Sequence, residues 1–279
     1  MTYKTILLHL HDMRRAERLL QAAMPLALDM NAHLTALAVL PPFIIVPAAD
    51  GMGTTVSIDS HRVAYRAEID RLKRLFTAAS TGRPVPSEWR EADAGFGTTA
   101  AAIIEHGRCA DLIIAAQKDE SWVSTALLED PVRLAMESGR PVLLIPNAGR
   151  MALPAKRVTV AWNGRREAAR AVFDAVPLLA SAEDVNIVSV NPDKEMRAED
   201  LPAAGICAAL ARHGVKPQAV QATAIGADVG PELLRQAAAF GSDLLVMGCY
   251  GHSRLREFIL GGASRHVLGQ MNLPVLLSH

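Results

Sequence analysis

Asp243-Leu-Leu-Val-Met-Gly248-Cys-Tyr-Gly251-His-Ser-Arg-Leu-Arg-Glu-Phe-Ile-Leu-Gly261-Gly262-Ala-Ser264 is the stretch from which the rest of the chain can be read. Leu244 to Met247 is an apolar run of the length of a buried strand. Glycines follow at 248 and 251, and after nine residues Gly261-Gly262 leads into a helical pattern from Ser264 to Gln270. A strand that ends in glycines and feeds a helix N-terminus suits the holding of a phosphate. Glycine lets the backbone approach closely, and the first helical N–H groups supply partial positive charge.

Working outward, Ser242-Asp243-Leu-Leu-Val has an earlier counterpart in Ala110-Asp111-Leu-Ile-Ile, and Leu273-Pro274-Val-Leu-Leu has one in Arg140-Pro141-Val-Leu-Leu. The two pairs stand 132 and 133 residues apart. Lys156-Arg-Val-Thr-Val-Ala161 likewise repeats Lys4-Thr-Ile-Leu-Leu-His9. A period this long marks duplicated domains rather than a solenoid. The halves divide into 1–147 and 148–279, with a linker over residues 147–155 that holds Gly149 and Pro154.

Each half alternates strand and helix. In the first, strands are expected at 6–10, 34–40, 87–92, 111–115 and 141–145, and helices at 13–30, 61–78, 98–108 and 123–138. Pro25 is a candidate kink, and residues 41–57 read as a loop, either a lid or an excursion. In the second, strands are expected at 156–161, 185–190, 218–224, 244–247 and from Pro274, and helices at 165–180, 201–213, 229–240 and 264–270. Five strands per half in βα alternation predict two tandem α/β domains with doubly wound parallel sheets and right-handed crossovers.

Composition agrees. The chain has 279 residues, half of them hydrophobic but only 4% aromatic, so the core must be built from Ala, Val, Leu and Ile. Formal net charge is zero, which gives no electrostatic case for nucleic acid or an anionic membrane. No run reaches the roughly 18 apolar residues of a membrane span. The opening residues enter a strand pattern at once, so no signal peptide is expected. Cys109, Cys207 and Cys249 form no CxxC pair and read as reduced thiols, so a cytoplasmic location is expected.

In open α/β sheets ligands bind beyond the C-terminal strand ends, near the reversal of strand order. The segments to watch are Trp162-Asn163-Gly164 and Gly248-Cys-Tyr-Gly251, and in the first half His11-Asp12 and Ala116-Gln117-Lys118. His252, Ser253, Arg254 and Arg256 lie inside the glycine loop, and Arg265 and His266 follow it. Each reads either as an anion contact or as a solvated side chain. His9 and His11 share a strand face without a carboxylate or thiol at ligand spacing, which favours a structural role over zinc. Cys249 is the thiol expected to have redox exposure. No nucleophile–base–acid arrangement, G-x-S-x-G elbow or P-loop occurs.

The tandem βα halves, the Gly248-x2-Gly251-x9-Gly261 spacing and the Pro-Val-Leu-Leu strand closing each half together resemble the universal stress protein family over essentially the whole chain. The resemblance implies Rossmann-like domains of the adenine nucleotide alpha-hydrolase-like type. It also implies an ATP or related adenine nucleotide ligand, with or without Mg, in the second domain. The binding set it implies is Ala161, Trp162, Asn163, Val188, Met247, Gly248, Gly251, His252, Arg254, Gly261, Gly262, Ala263 and Ser264, with no catalytic residue and no metal ligand. Two positions depart from the family pattern: Gly262 stands where Ser or Thr is usual, and Asn163 where an acidic residue is usual. The first half has no glycine from Ala115 to Pro131 and carries Glu129 and Asp130 where phosphate would sit, so it is expected to bind none.

The function implied is a regulatory, nucleotide-responsive stress protein that meets an unidentified protein partner. The alternatives are a ligand-free interaction scaffold, and a slow ATPase or hydrolase of a small ligand. Pairing of the last strands, Val142–Ile145 with Val275–Ser278, would make a pseudo-dimer within one chain, and leaves a homodimer of such chains open.

Overall fold

A computed structural model describes residues 2–43, 45–46, 56–57, 59–118, 131–191, 203–224, 228–249 and 262–279. In the first half the strands are β1 Thr5–His9, β2 His33–Leu40, β3 Ile45–Val46, β4 Val56–Ser57, β5 Ser87–Asp93, β6 Leu112–Ala116 and β7 Val142–Ile145. Its helices are α1 Met13–Met30, α2 Asp59–Ser80, α3 Thr99–Gly107 and α4 Pro131–Glu137. In the second half the strands are β8 Arg157–Ala161, β9 Asp184–Val190, β10 Pro217–Ala222, β11 Leu244–Gly248 and β12 Val275–Ser278. Its helices are α5 Arg166–Asp174, α6 Val176–Leu179, α7 Ala204–Ala211, α8 Val229–Ala239 and α9 Gly262–Gln270.

Ten strands form one sheet in the order β10-β9-β8-β11-β12-β7-β6-β1-β2-β5, five from each half. All neighbours run parallel except β7 and β12, which meet antiparallel with Leu143 opposite Leu276. The expected pairing of the two Pro-Val-Leu-Leu strands is therefore present, and it removes two edges that would otherwise offer unpaired backbone groups. Val142 to Ile145 and Val275 to Leu277 are at most 1% exposed. Burial on both faces explains why these strands are continuously apolar rather than alternating.

The two faces of the sheet carry separate cores, and each runs through both halves. One joins Ile6, Leu8, Ile114 and Leu143 to Val158, Val246 and Leu276, beneath α1, α5 and α7. The other joins Leu7, Ile113 and Leu144 to Leu245, Val267 and Leu277, beneath α3, α4, α8 and α9.

The repeat extends to single polar groups. Asp111 Oδ2 accepts the N–H groups of Lys4 and Thr5, and Asp243 Oδ2 accepts those of Lys156 and Arg157. In each case a carboxylate at the start of the fourth strand satisfies the backbone where the first strand begins. The linker is pinned as well. Arg150 N–H donates to Asn272 C=O, its guanidinium to Gly241 C=O, and Nη2 pairs with Asp243 Oδ1 at 2.8 Å.

Three details differ from the sequence reading. Residues 45–46 and 56–57 pair antiparallel, so the 41–57 segment contains a short hairpin. α1 continues through Pro25 without interruption, whereas the helix expected over 165–180 divides at Ala175 into α5 and α6, with Pro177 in the first turn of α6. Pro is tolerated at a helix start, where its missing N–H has no intrahelical partner, so a break suits that position. The 123–130 part of the expected helix lies outside the described residues.

Candidate functional site

β8, β9 and β11 are parallel, so their C-terminal ends open on one side of the sheet. Ala161 pairs with Val188, and Trp162 N–H extends the ladder to Val188 C=O at 2.9 Å. Val188 is fully buried, its side chain packed with Ala222 and Leu233 and flanked by Ala161 and Val229. Met247 is buried in the larger core on the same face, which Ala161 also flanks. Asn163 is exposed, and its Oδ1 accepts Arg165 N–H at 3.0 Å, closing the turn that leads into α5. That turn is the kind Asx side chains favour.

Gly248 has a definite steric role. A Cβ there would lie 2.4 Å from the Glu167 carbonyl carbon and 2.7 Å from Ala168 N. Only glycine lets the end of β11 run this close to the first turn of α5. The sequence reading missed Glu167; the signal available for it was an acidic residue in the first turn after the first strand. Burial pushes the Glu167 carboxyl up, but the Arg166 side chain at 2.7 Å, a backbone N–H and His279 outweigh it and hold it below the usual range.

Cys249 corrects an expectation. It is fully buried, its thiol donates to Ser278 C=O at 3.4 Å, and burial pushes the thiol pKa up to about 12. A thiol held protonated and shielded is a poor nucleophile. His279 Nδ1 lies 3.0 Å from Cys249 C=O and completes this strand end.

The second part of the site is where α8 and α9 meet. A Cβ on Gly230 would lie 2.7 Å from His266 Cβ and 3.0 Å from Ala263 C=O, so the second residues of the two helices abut. Two helix N-termini side by side concentrate the partial positive charge of their unpaired N–H groups. Gly262 and Arg265 are exposed there, Ala263 and His266 half-buried, and Ser264 buried. Gly251, His252, Arg254 and Gly261 lie outside the described residues, as do Ser253 and Arg256.

The equivalent end of the first half is filled by its own side chains. Asp12, 1% exposed, caps α1 by accepting Arg15 N–H at 2.9 Å. Arg15 Nε and Nη2 donate to Asp12 Oδ2 at 2.8 and 2.7 Å, and Nη1 donates to Gln117 C=O at 2.7 Å. His11 Nε2 reaches the same carboxylate oxygen at 2.6 Å and also contacts Arg15 Nη2. Burial pushes the Asp12 carboxyl up, but His11 and Arg15 outweigh it and hold it well below the usual carboxylate range. His9 stacks on His11 with centroids 5.3 Å apart, and burial, reinforced by His11 and Arg15, lowers its pKa well below the ordinary value. Both histidines are buried, and no metal-binding group of His, Cys, Asp or Glu occurs among the described residues.

A cavity of about 290 Å³ lies at the opposite, N-terminal end of β1, β2 and β5, lined by residues that include His33, Thr35, Glu88, Arg90 and Cys109. Its central carboxylate, Glu88, is already held by Thr35, Arg90 and His33. Among the described residues no helix is long and apolar enough to cross a membrane.

The profile of the family described as "Universal stress protein family" matches residues 154–279. No curated protein matches the chain by sequence. Among solved structures, a universal stress protein from Archaeoglobus fulgidus DSM 4304 superimposes with a TM-score of 0.71 at 14% identity, covering 98% of this chain and 95% of that one. A putative universal stress protein from Pseudomonas aeruginosa UCBPP-PA14 gives 0.61 at 17% identity, covering 99% and 93%. At these identities the structures speak for the fold, a mostly parallel Rossmann-like sheet with helices on both faces. Residues 154–279 thus match the universal stress protein family, and the whole chain shares the fold of these two structures.

Proposed function

We propose that this chain is a regulatory protein of the universal stress type that binds one adenine nucleotide, ATP foremost, in its second domain. The domains divide at residues 147 and 148, within the linker. The observation that carries the reading is the abutment of the α8 and α9 N-termini at Gly230 and Ala263, the second of which directly follows the Gly248-x2-Gly251-x9-Gly261 sequence. Two adjacent helix N-termini, one of them reached through a glycine loop, favour a polyphosphate over a neutral ligand. Phosphates would lie against Gly251, Gly261, Gly262, Ala263 and Ser264, with His252 and Arg254 as further donors. The nucleoside would lie along Ala161, Trp162, Val188 and Met247.

The Asn163 oxygen already holds Arg165 N–H, so its amide –NH2 is the group it offers a ribose. Because Val188 is fully buried and its carbonyl accepts Trp162 N–H, Val188 shapes the floor of the site rather than gripping the base. In the first domain Arg15 supplies the charge partner of Asp12 internally, which removes the need for a ligand there. Nucleotide phosphates held at the glycine loop would bias the surface offered to a protein partner in the cytoplasm.

Equilibrium dialysis with labelled ATP, ADP and AMP tests this reading. One nucleotide retained per chain, lost in Gly251→Val, is expected. Retention of none would refute the binding claim, and two per chain would refute the silent first domain. Phosphate release in the same mixtures separates binding from slow hydrolysis.

A further inference from the structure

We infer that Gln117 of the first half is a positioning residue for the nucleotide site of the second, holding α9 by capping its last turn from across the seam; this rests on the nucleotide reading above. Gln117 directly follows β6 and is 8% exposed. Its Nε2 donates to Leu268 C=O at 2.8 Å, a contact between residues 151 apart. Because α9 ends at Gln270, Leu268 C=O belongs to the last turn and has no N–H four residues on within the helix. The side chain of one half therefore satisfies an open helix end of the other.

Gln117 is fixed from every side. Its Oε1 accepts Asn147 N–H at 3.0 Å, which sets the amide so that Nε2 faces Leu268. Its backbone N–H donates to Ile145 C=O at 2.8 Å, and its C=O accepts from Arg15 Nη1 at 2.7 Å. Arg15 is in turn bound to Asp12. A continuous run of hydrogen bonds thus leads from the N-cap of α1 to the last turn of α9. No reciprocal strut exists among the described residues: Cys249, the residue after β11, turns its thiol to Ser278 C=O.

The consequence follows from geometry. A nine-residue helix is about 13 Å long. Fixing one end sets the direction in which the other end, with Gly262, Ala263 and Ser264, presents its N–H groups. The strand end that serves the glycine loop in the second half has become, in the first, a support for the helix that follows that loop.

The test uses the full chain with Gln117→Glu, which keeps the length and the acceptor for Asn147 but replaces the Nε2 donor with an oxygen facing Leu268 C=O. Hydrogen–deuterium exchange of residues 262–270 should quicken roughly fivefold, and ATP affinity by dialysis should fall by a similar factor at unchanged stoichiometry. Unchanged exchange overturns the cap. Faster exchange with unchanged affinity overturns the positioning role. Should the wild-type chain retain no nucleotide, the site reading and the positioning role fall together, while exchange still reports whether the cap exists. Gln117→Met, uncharged and of similar length, carries the same measurements if the glutamate variant does not fold.

Discussion

The two halves share a frame and finish it differently. In the first, the fourth strand of the main sheet ends at Ala116 and is followed by Gln117; in the second it ends at Gly248 and is followed by Cys249. After the first strand, one half buries Asp12 against Arg15, whereas the other exposes Asn163 in a turn. On the proposed reading, a phosphate-ready strand end requires a backbone approach free of Cβ, helix N-termini left open, and no internal cation competing for the place. In the first half Ala116 carries a Cβ at the strand end, Asp12 and Thr98 cap α1 and α3, and Arg15 lies against Gln117.

The comparison can be broken most forcefully at Asp12. Asp12→Ala removes the N-cap of α1 and the carboxylate bound by Arg15 and His11 and should cost about 2–4 kcal/mol, whereas Asn163→Ala should cost at most about 1 kcal/mol. Urea unfolding of both variants measures this, and equal losses would mean that the two strand ends are not differently built. Next in size is the exchange of strand-end residues. Gly248→Ala forces a Cβ onto the Glu167 backbone, at an expected cost of about 1–3 kcal/mol. Ala116→Gly should cost only about 0.5–1 kcal/mol. A Gly248→Ala protein as stable as wild type would remove the packing role assigned to Gly248.

The smallest effect is acid sensitivity. His9 is neutral in the fold because its pKa is lowered well below 6.5, whereas the unfolded chain takes up a proton near that value. Below about pH 6.5 the unfolded state binds more protons, so stability falls with falling pH, by about 1.4 kcal/mol per unit for one such group. The groups facing His9 are His11, Arg15 and Asp12; Asp12 opposes the shift and the other two reinforce it. The matching position in the second half is Ala161, so His9→Ala should flatten the pH dependence of the urea midpoint between pH 7 and pH 5.5. An unaltered slope would place the acid sensitivity elsewhere.

Much of the fold was legible because it rests on local pattern and on the repeat. The apolar runs, the paired Asp111 and Asp243, and the two Pro-Val-Leu-Leu strands led to ten strands and their seam. Within the site, glycine spacing alone could not separate a glycine needed for packing from one needed for phosphate, and Gly248 serves the first purpose whatever its part in the second. Arg15 donating to Gln117, and Gln117 to Leu268, join residues 102 and 151 apart, which no periodicity encodes. Cys249 looked exposed because glycines surround it in sequence, yet its thiol points into the core beside β12.

The antiparallel seam between β7 and β12 has an evolutionary consequence. In an assembly of identical subunits any change is imposed on every copy, so a substitution that closes one pocket closes them all. Here the two copies are joined by the peptide chain itself and are always present in equal number. On the proposed reading, one could therefore give up its pocket and become a brace while the other kept its own. Division of labour within a single gene product is what covalent linkage made available.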